Sequence, residues 1–360
     1  MKPSFRVCVG ICTYKRVSLL VKLIEDLFAQ SHKPDRLILV DGDPSSGEVK
    51  KAISNHPMNN RIRYVASNHP NVAYQRYLVW RAAAEEPCDA LVYFDDDLRL
   101  PDKDTLFQIA GFLCGDTGVV GVTVPSATGP DDIFRGHEVV LETQRRKSQT
   151  SWIVRAAGSA RKIPPGGLAP SGHRRMPEGK KAEEEVEWLQ GRVMGFRMSA
   201  LDETCFPEAL FAANDSGCGF GEDTVISHLV SFKGKLLFLN RLQVAHPDDD
   251  LPRAYPIQPF RYGRAVAYSR RVINDYFRGL EKPLCSDRFD LVKSYAGNFL
   301  LSLFRLIREP KSYRFLYLAG YSWGALKGCL ISPSPRNLTP DIDWKKDAEK
   351  ALLIHKDPEG

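Results

Sequence analysis

No stretch of the 360 residues reaches the roughly 18 to 20 uncharged apolar residues that a membrane-crossing helix requires. The nearest, Phe315 to Ile331, carries Lys327 and three glycines, which excludes a polytopic membrane protein. The opening run MKPSFRVCVGICTYKR meets Arg6 and Lys15 with only a short apolar run between them, so no signal peptide is expected there. Cysteine is sparse too: eight residues, with neither paired CxxC spacings nor an HxxxH, give no zinc-binding pattern. Cys8 and Cys12 fall on an expected strand about 13 Å apart, too far for a disulfide, and reduced, buried thiols are the reading. There is no internal repeat. With 43% apolar and 26% charged residues, the composition is that of a globular chain with one large domain and a smaller appendage.

The net charge of +6 is unevenly placed. Residues 251–330 hold 14 Lys and Arg against 5 Asp and Glu, so this segment carries +9 and the remainder −3. Such asymmetry points to an anionic partner for the C-terminal segment. Tyr295, Phe299, Phe304, Tyr313, Phe315, Tyr317, Tyr321 and Trp323 alternate there with Arg305, Arg308, Lys311, Arg314 and Lys327. Aromatics mixed with cations on helices too short to span suit an interfacial anchor on an anionic membrane surface; the competing reading is helices packed on the core. No nucleic-acid-binding motif accompanies the charge, so no nucleic acid is expected.

The first 125 residues alternate β-rich runs with amphipathic ones. Strands are expected at Phe5–Ile11, Arg36–Val40, Arg61–Ser67 and Ala90–Phe94, and helices after Ser18, which is read as a cap, at Glu48–Ser54, Val72–Ala84 and Asp104–Leu113. Alternation of this kind predicts an α/β fold: a mainly parallel sheet with helices on both faces, and ligands bound beyond the carboxyl ends of the strands. A catalytic domain is expected over 1–250, with 125–185 as a flexible insert or acceptor loop. A basic, aromatic helical region over 251–335 and a polar tail over 336–360 follow.

Three consecutive aspartates, Asp95, Asp96 and Asp97, close the apolar run ALVYF, where their mutual repulsion demands a compensating cation or a capped helix. On an extended backbone Asp95 and Asp97 share a side about 7 Å apart, which suits a hard divalent ion; a solvated turn is the alternative. A second acidic pair, Glu222 and Asp223, follows the glycines of SGCGFGED and opens a helix, where simple capping competes with chemistry. His246 stands alone before Pro247 and three aspartates.

In order along the chain, VGICTYKR, ILVDGDPSS, NVAYQR, LVYFDDD, LQGRVMGFRMSAL, GFGEDTVISHL and VAH resemble the motifs of the family 2 glycosyltransferases of the GT-A fold. The resemblance implies metal-assisted transfer of a hexose or deoxyhexose from a nucleotide-sugar donor, with inversion, to a glycan or lipid-linked acceptor during cell-surface polysaccharide synthesis. By the same resemblance Thr13, Tyr14, Arg16 and Asp41 hold the nucleotide, Arg76, Asp95 and Asp96 serve the donor, and Asp97 and His246 take Mg²⁺ or Mn²⁺. Asp223 is the implied catalytic base and Glu222 its acceptor-side neighbour. Gly42 parts Asp41 from Asp43, where the family often has adjacent aspartates, and Tyr77 and Val79 replace an Asn and a Gly. The implied place is cytoplasmic, peripheral on the inner face of the cell membrane.

Two other readings compete. A sugar nucleotidyltransferase shares the core sheet but calls for a glycine-rich basic loop after the first strand, which GICTYKR lacks. A non-catalytic membrane-surface module would not gather its acidic pairs in one cleft.

Overall fold

The apolar run VCVGICT forms β1 (Val7–Thr13), and strand and helix alternate after it: α1 (Val17–Phe28), β2 (Arg36–Asp41), α2 (Glu48–Ser54), β3 (Ile62–Ala66), α3 (Val72–Ala84), β4 (Ala90–Asp95) and α4 (Thr105–Gly115). There follow β5 (Val119–Thr123), β6 (Ser126–Thr128), β7 (Glu183–Val186), β8 (Val193–Arg197), α5 (Glu208–Ala213), α6 (Glu222–Ser231), β9 (Lys235–Leu239), β10 (Val244–His246) and α7 (Trp344–Leu353). This computed structural model describes residues 5–115, 118–128, 164–168, 174–215, 221–246, 322–330 and 342–353, with residues 267, 292, 295–297, 299–300, 303–304 and 307–308. Most of the expected insert, the glycines Gly217 and Gly219, Asp248 to Asp250 and most of 251–335 lie outside the described residues.

One eight-stranded sheet runs in the order β3-β2-β1-β4-β8-β5-β9-β7. It is mixed and mainly parallel, with β8 antiparallel to β4 and β5, and β7 antiparallel to β9. Alternate residues of each strand serve opposite faces. Cys8, Ile38, Val40, Leu91 and Tyr93 point into a layer with α3, α6 and α7, while Val9, Ile11, Leu37, Leu39, Val92 and Phe94 pack beneath α1, α2 and α4. Cover on both faces explains why β1, β2 and β4 are almost wholly apolar.

Register positions the site. Thr13 pairs with Asp41 and Cys12 with Asp95, so the polar ends of β1, β2 and β4 emerge side by side. A second, two-stranded sheet joins β6 to β10. Ala245 and Arg99 exchange backbone hydrogen bonds of 2.9 and 2.8 Å, which ties β10 to the chain just past the three aspartates. Arg99 is in turn clamped on Asp26 of α1 through Nε at 2.6 Å and Nη2 at 2.9 Å, a bidentate pair that fixes this loop.

Three local expectations are corrected. Ser18 does not cap α1: Arg16 is the N-cap, its carbonyl accepting from Leu19 and Leu20 at 3.1 and 3.0 Å, because its side chain is drawn to the aspartates. Order after the insert begins at Glu183, not Val186; the glutamates of EEEV are tolerated because β7 is an edge strand. Within the stretch read as a polar tail, α7 places Trp344, Ala348 and Leu352 at helical spacing against the core. The Trp344 ring lies 4.9 Å from Tyr74, 5.0 Å from His69 and 5.6 Å from Phe211. Residues 322–330 are helical as well, and among the described residues no helix is long and apolar enough to cross a membrane.

Candidate active site

The three aspartates that end β4 have different surroundings. Asp96 is buried, accepting from Thr13 Oγ1 at 2.7 Å and from Arg16 Nη1 at 3.2 Å, and burial pushes its carboxyl up against those two donors. Asp97 Oδ2 accepts from the same Arg16 nitrogen at 2.8 Å and lies 3.3 Å from His246 Nε2. Burial pushes Asp97 up as well, but His246 and Arg16 outweigh it and hold the carboxyl below its ordinary value. Asp95 points the other way, to Arg76 Nη2 at 3.2 Å. It is pushed up to about 7, first by burial and then by Asp97 and Asp96, with Arg76 opposing. The backbone that clamps β10 to Arg99 is what sets His246 beside Asp97.

Arg76 rises from α3 into the centre of the site and is 4% exposed. Nη1 donates to Glu222 Oε1 at 2.8 Å, while Nη2 donates to Asp95 Oδ1 at 3.2 Å and to the Gly191 carbonyl at 3.1 Å. One guanidinium thus joins the end of β4, the turn before β8 and the start of α6. Its helix is well set: Asn71 caps α3 through Tyr74 N at 3.1 Å and reaches the Phe211 carbonyl at 2.8 Å.

Asp223 lies in the first turn of α6. Oδ2 accepts from Gly191 N at 2.9 Å and Arg174 Nη1 at 2.7 Å, and Oδ1 from Thr224 N at 2.8 Å. Burial alone would raise it, yet Arg174 and then Arg76 outweigh burial and hold it below the usual carboxylate range. Its neighbour Glu222 is shifted the opposite way: burial and the charge of Asp223 push it up in spite of Arg76. Gly191 keeps this packing close, since a Cβ there would stand 3.1 Å from Asp223 Oδ2 and 3.2 Å from Arg76 Nη2 and those side chains would have to give way.

At the end of β2, Asp41 is fully buried and both its oxygens are engaged, by Asp43 N and Tyr64 Oη at 2.9 Å each. It braces the turn from below. A glycine suits position 42, because a Cβ would meet Gln75 Nε2 at 2.5 Å and crowd Pro70 Cα at 3.3 Å, so that the Gln75 amide would have to move. Tyr14 is 44% exposed, with Lys15 Nζ 5.0 Å from its ring centre.

All eleven residues singled out from sequence therefore gather at one end of the sheet. Arg16, Asp96 and Asp41 are held in internal contacts, and Arg76 connects the two acidic pairs. Tyr64, Arg174, Trp188 and Gly191 were not singled out. Gly191 lies inside LQGRVMGFR, a visible motif, whereas the pairing of Arg174 with Asp223, 49 residues on, leaves no local signal.

Metal donors are few. Among the described residues no group of three His, Cys, Asp or Glu converges as a metal site. Yet Asp97 Oδ1 is buried without a hydrogen-bond partner among the described residues, a costly arrangement unless something else binds it, and His246 Nε2 lies 3.3 Å from the same carboxylate. One carboxylate and one imidazole fit a Mg²⁺-type or Mn²⁺ ion that takes its other ligands from substrate phosphates and water.

Residues 8–164 match the family model described as Glycosyl transferase family 2. No curated protein matches the sequence. Among solved structures, the mannosyltransferase PcManGT from Pyrobaculum calidifontis, in complex with GDP-Man and Mn²⁺, is similar over 92% of this chain and 89% of its own, with 16% identity and a TM-score of 0.51. TarS residues 1–349 from S. aureus is similar over 90% of this chain and 80% of its own, with 12% identity and a TM-score of 0.48. At these identities PcManGT speaks to the fold. Residues 8–164 thus carry a likeness to glycosyl transferase family 2, and the chain shares its fold with PcManGT, a mixed, mainly parallel sheet covered by helices.

Proposed function

We propose that the protein moves a hexose or deoxyhexose from a nucleotide-diphosphate donor to a hydroxyl of a glycan or lipid-linked acceptor, by single inverting displacement, in the synthesis of cell-surface polysaccharide. The observation that carries the metal-dependent form of this reading is His246 Nε2 lying 3.3 Å from Asp97 Oδ2, with Asp97 Oδ1 buried and without a hydrogen-bond partner among the described residues. Those residues would hold Mg²⁺ or Mn²⁺, and the ion supplies charge neutralisation for the departing diphosphate. PcManGT, similar in fold, is recorded with GDP-Man and Mn²⁺.

The chain's own groups divide the remaining work. Thr13, Tyr14, Arg16 and Asp41 frame the nucleotide side, with Tyr14 the exposed ring against which a base can lie. Asp95 and Asp96 are assigned to the donor, the first toward the ribose, and Arg76 keeps Asp95 and Glu222 in place. The attacking hydroxyl gives its proton to Asp223 as its oxygen bonds to the anomeric carbon, and the bond to the diphosphate breaks with the electron pair leaving on the phosphate. Glu222 faces the acceptor. Because Asp223 is held by the backbone of Gly191 and Thr224, its carboxylate is oriented before substrate arrives.

The decisive experiment is to screen purified protein for metal-dependent turnover of a panel of GDP- and UDP-linked sugars; no turnover and no binding across the panel would remove the reading. For the base, Asp223→Asn is expected to lower kcat by about a hundredfold or more with donor affinity little changed. Equal loss of donor binding would make Asp223 structural instead.

We also propose that the basic, aromatic C-terminal region lies on the anionic inner face of the cell membrane. Of its described side chains, Leu300 is 65% exposed and Ile307 79%, with Phe304, Trp323 and Leu330 exposed as well. Apolar groups presented beside cations favour an interface over water. Co-sedimentation with vesicles is expected to need anionic lipid, to weaken with salt and to fall in Leu300→Glu/Ile307→Glu. Equal sedimentation with neutral vesicles, or none at all, counts against the anchor.

A further inference from the structure

Beside the base, the protein fills a space with its own side chain. The Arg174 guanidinium lies 4.8 Å from the centre of the Trp188 ring while donating to Asp223 Oδ2 at 2.7 Å. Trp188 is buried at 3% exposure, and its indole N–H has no hydrogen-bond partner among the described residues. An aromatic face, a carboxylate reached by the same guanidinium and an N–H donor are elements that hold a pyranose ring: C–H groups lie against the π-face and hydroxyls bond to the polar groups. Arg174 meets the same demands with a flat donor group.

We propose that Trp188 and Asp223 form the subsite for the acceptor sugar, and that Arg174 is a positioning residue which occupies it until an acceptor hydroxyl replaces its N–H on Asp223. This inference rests on the reading of the protein as a glycosyltransferase with Asp223 as base.

The two partners of the ion pair differ in the way such an exchange requires. The Arg174 side chain is 39% exposed, so its ion pair is screened by water and readily broken. Asp223 stays where it is when Arg174 leaves, since Gly191 N still donates to Oδ2 and Thr224 N to Oδ1. The charged groups facing Asp223 are Arg174, Arg76 and Glu222, and Arg76 is already bonded to Glu222 and Asp95. Removing Arg174 therefore takes away the leading group that opposes burial, and the carboxylate becomes more basic. The base is weakest while the subsite lacks an acceptor, which protects the donor from water. In the wasteful reaction, water forms the new bond to the anomeric carbon, its proton passes to Asp223, and the nucleoside diphosphate leaves with the electron pair.

The test uses the full chain and the sugar nucleotide that the wild type binds most tightly by calorimetry. Arg174→Ala is expected to hydrolyse this donor about tenfold faster than wild type, with the acid limb of the pH–rate profile moved to higher pH. Arg174→Lys, which keeps the charge on Asp223, should return hydrolysis toward the wild-type rate, and Arg174→Ala/Asp223→Asn should lose the gain. Saturation-transfer NMR with methyl glucoside, galactoside, mannoside and N-acetylglucosaminide should give stronger sugar signals with Arg174→Ala than with wild type for at least one of the four. With folding confirmed by an unchanged melting temperature and donor binding intact, hydrolysis at or below the wild-type rate, an unmoved acid limb or equal sugar signals would overturn the inference alone. If no sugar nucleotide binds the wild type, the functional reading falls and this inference falls with it.

Discussion

Asp97→Ala is expected to lower transfer by about a thousandfold or more while leaving the protein folded. The loss follows from the leaving group. In the proposed reaction a nucleoside diphosphate gains charge as the bond to the sugar breaks, and Asp97 and His246 would hold a divalent ion whose neutralisation of that charge would be worth several kcal/mol, at roughly 1.4 kcal/mol per tenfold in rate. Excess chelator should reduce the wild type to the same level, and calorimetry with Mn²⁺ should show binding to the wild type that the variant lacks. Asp97 is held below its ordinary value by His246 and Arg16, so its removal gives up those contacts and costs some stability, while Arg16 keeps Asp96 as a partner and the fold survives. A variant that is inactive yet still unfolds cooperatively, at a modestly lower temperature, separates a loss of chemistry from a loss of structure. Full activity in chelator, or a variant that fails to fold, would contradict the assignment.

The fold was legible where burial on both faces makes a strand wholly apolar. β1, β2 and β4 announced themselves this way, α2 and α3 were placed with their observed bounds, and the polar residues just past the strands marked the site. Signals of this kind are local. β7 escaped because EEEV looks like solvent-exposed chain and becomes a strand only by pairing with β9. The tail hid a helix because WKKDAEKALL is mostly charged, and its buried positions gain meaning only against Tyr74 and Phe211. At the site the residue types were readable but their partners were not. Arg76 looked like a donor ligand in NVAYQR, and only the tertiary structure shows it held by Asp95, Glu222 and Gly191. Arg174 stands in a stretch of mixed charge, and nothing nearby in sequence says that it reaches Asp223.

Arg76→Met is expected to cost about 3 to 5 kcal/mol of stability, the range for removing one partner from a buried ion pair. Methionine fills most of the space of the aliphatic stem, so the loss arises from the groups left behind. Glu222 Oε1 would lose its 2.8 Å donor, Asp95 Oδ1 its 3.2 Å donor, and the Gly191 carbonyl its 3.1 Å donor. Glu222 already sits above its ordinary carboxyl value even with the guanidinium beside it, because burial and Asp223 outweigh Arg76. Without Arg76 that upward shift must grow. A carboxyl raised in the folded state binds its proton more tightly there than in the unfolded chain, so the folded state gains as pH falls through the raised value. The stability lost by Arg76→Met should accordingly be largest above neutrality and shrink as pH is lowered toward the ordinary glutamate value of about 4.3. Arg76→Met/Glu222→Gln, which removes one of the stranded charges, should recover part of the loss at high pH and show less dependence on pH. Denaturant melts of the three proteins across that range decide the matter. A deficit independent of pH, or no recovery in the double variant, would mean that Arg76 stabilises α3 by packing alone and that the two acidic pairs are not joined through its charge.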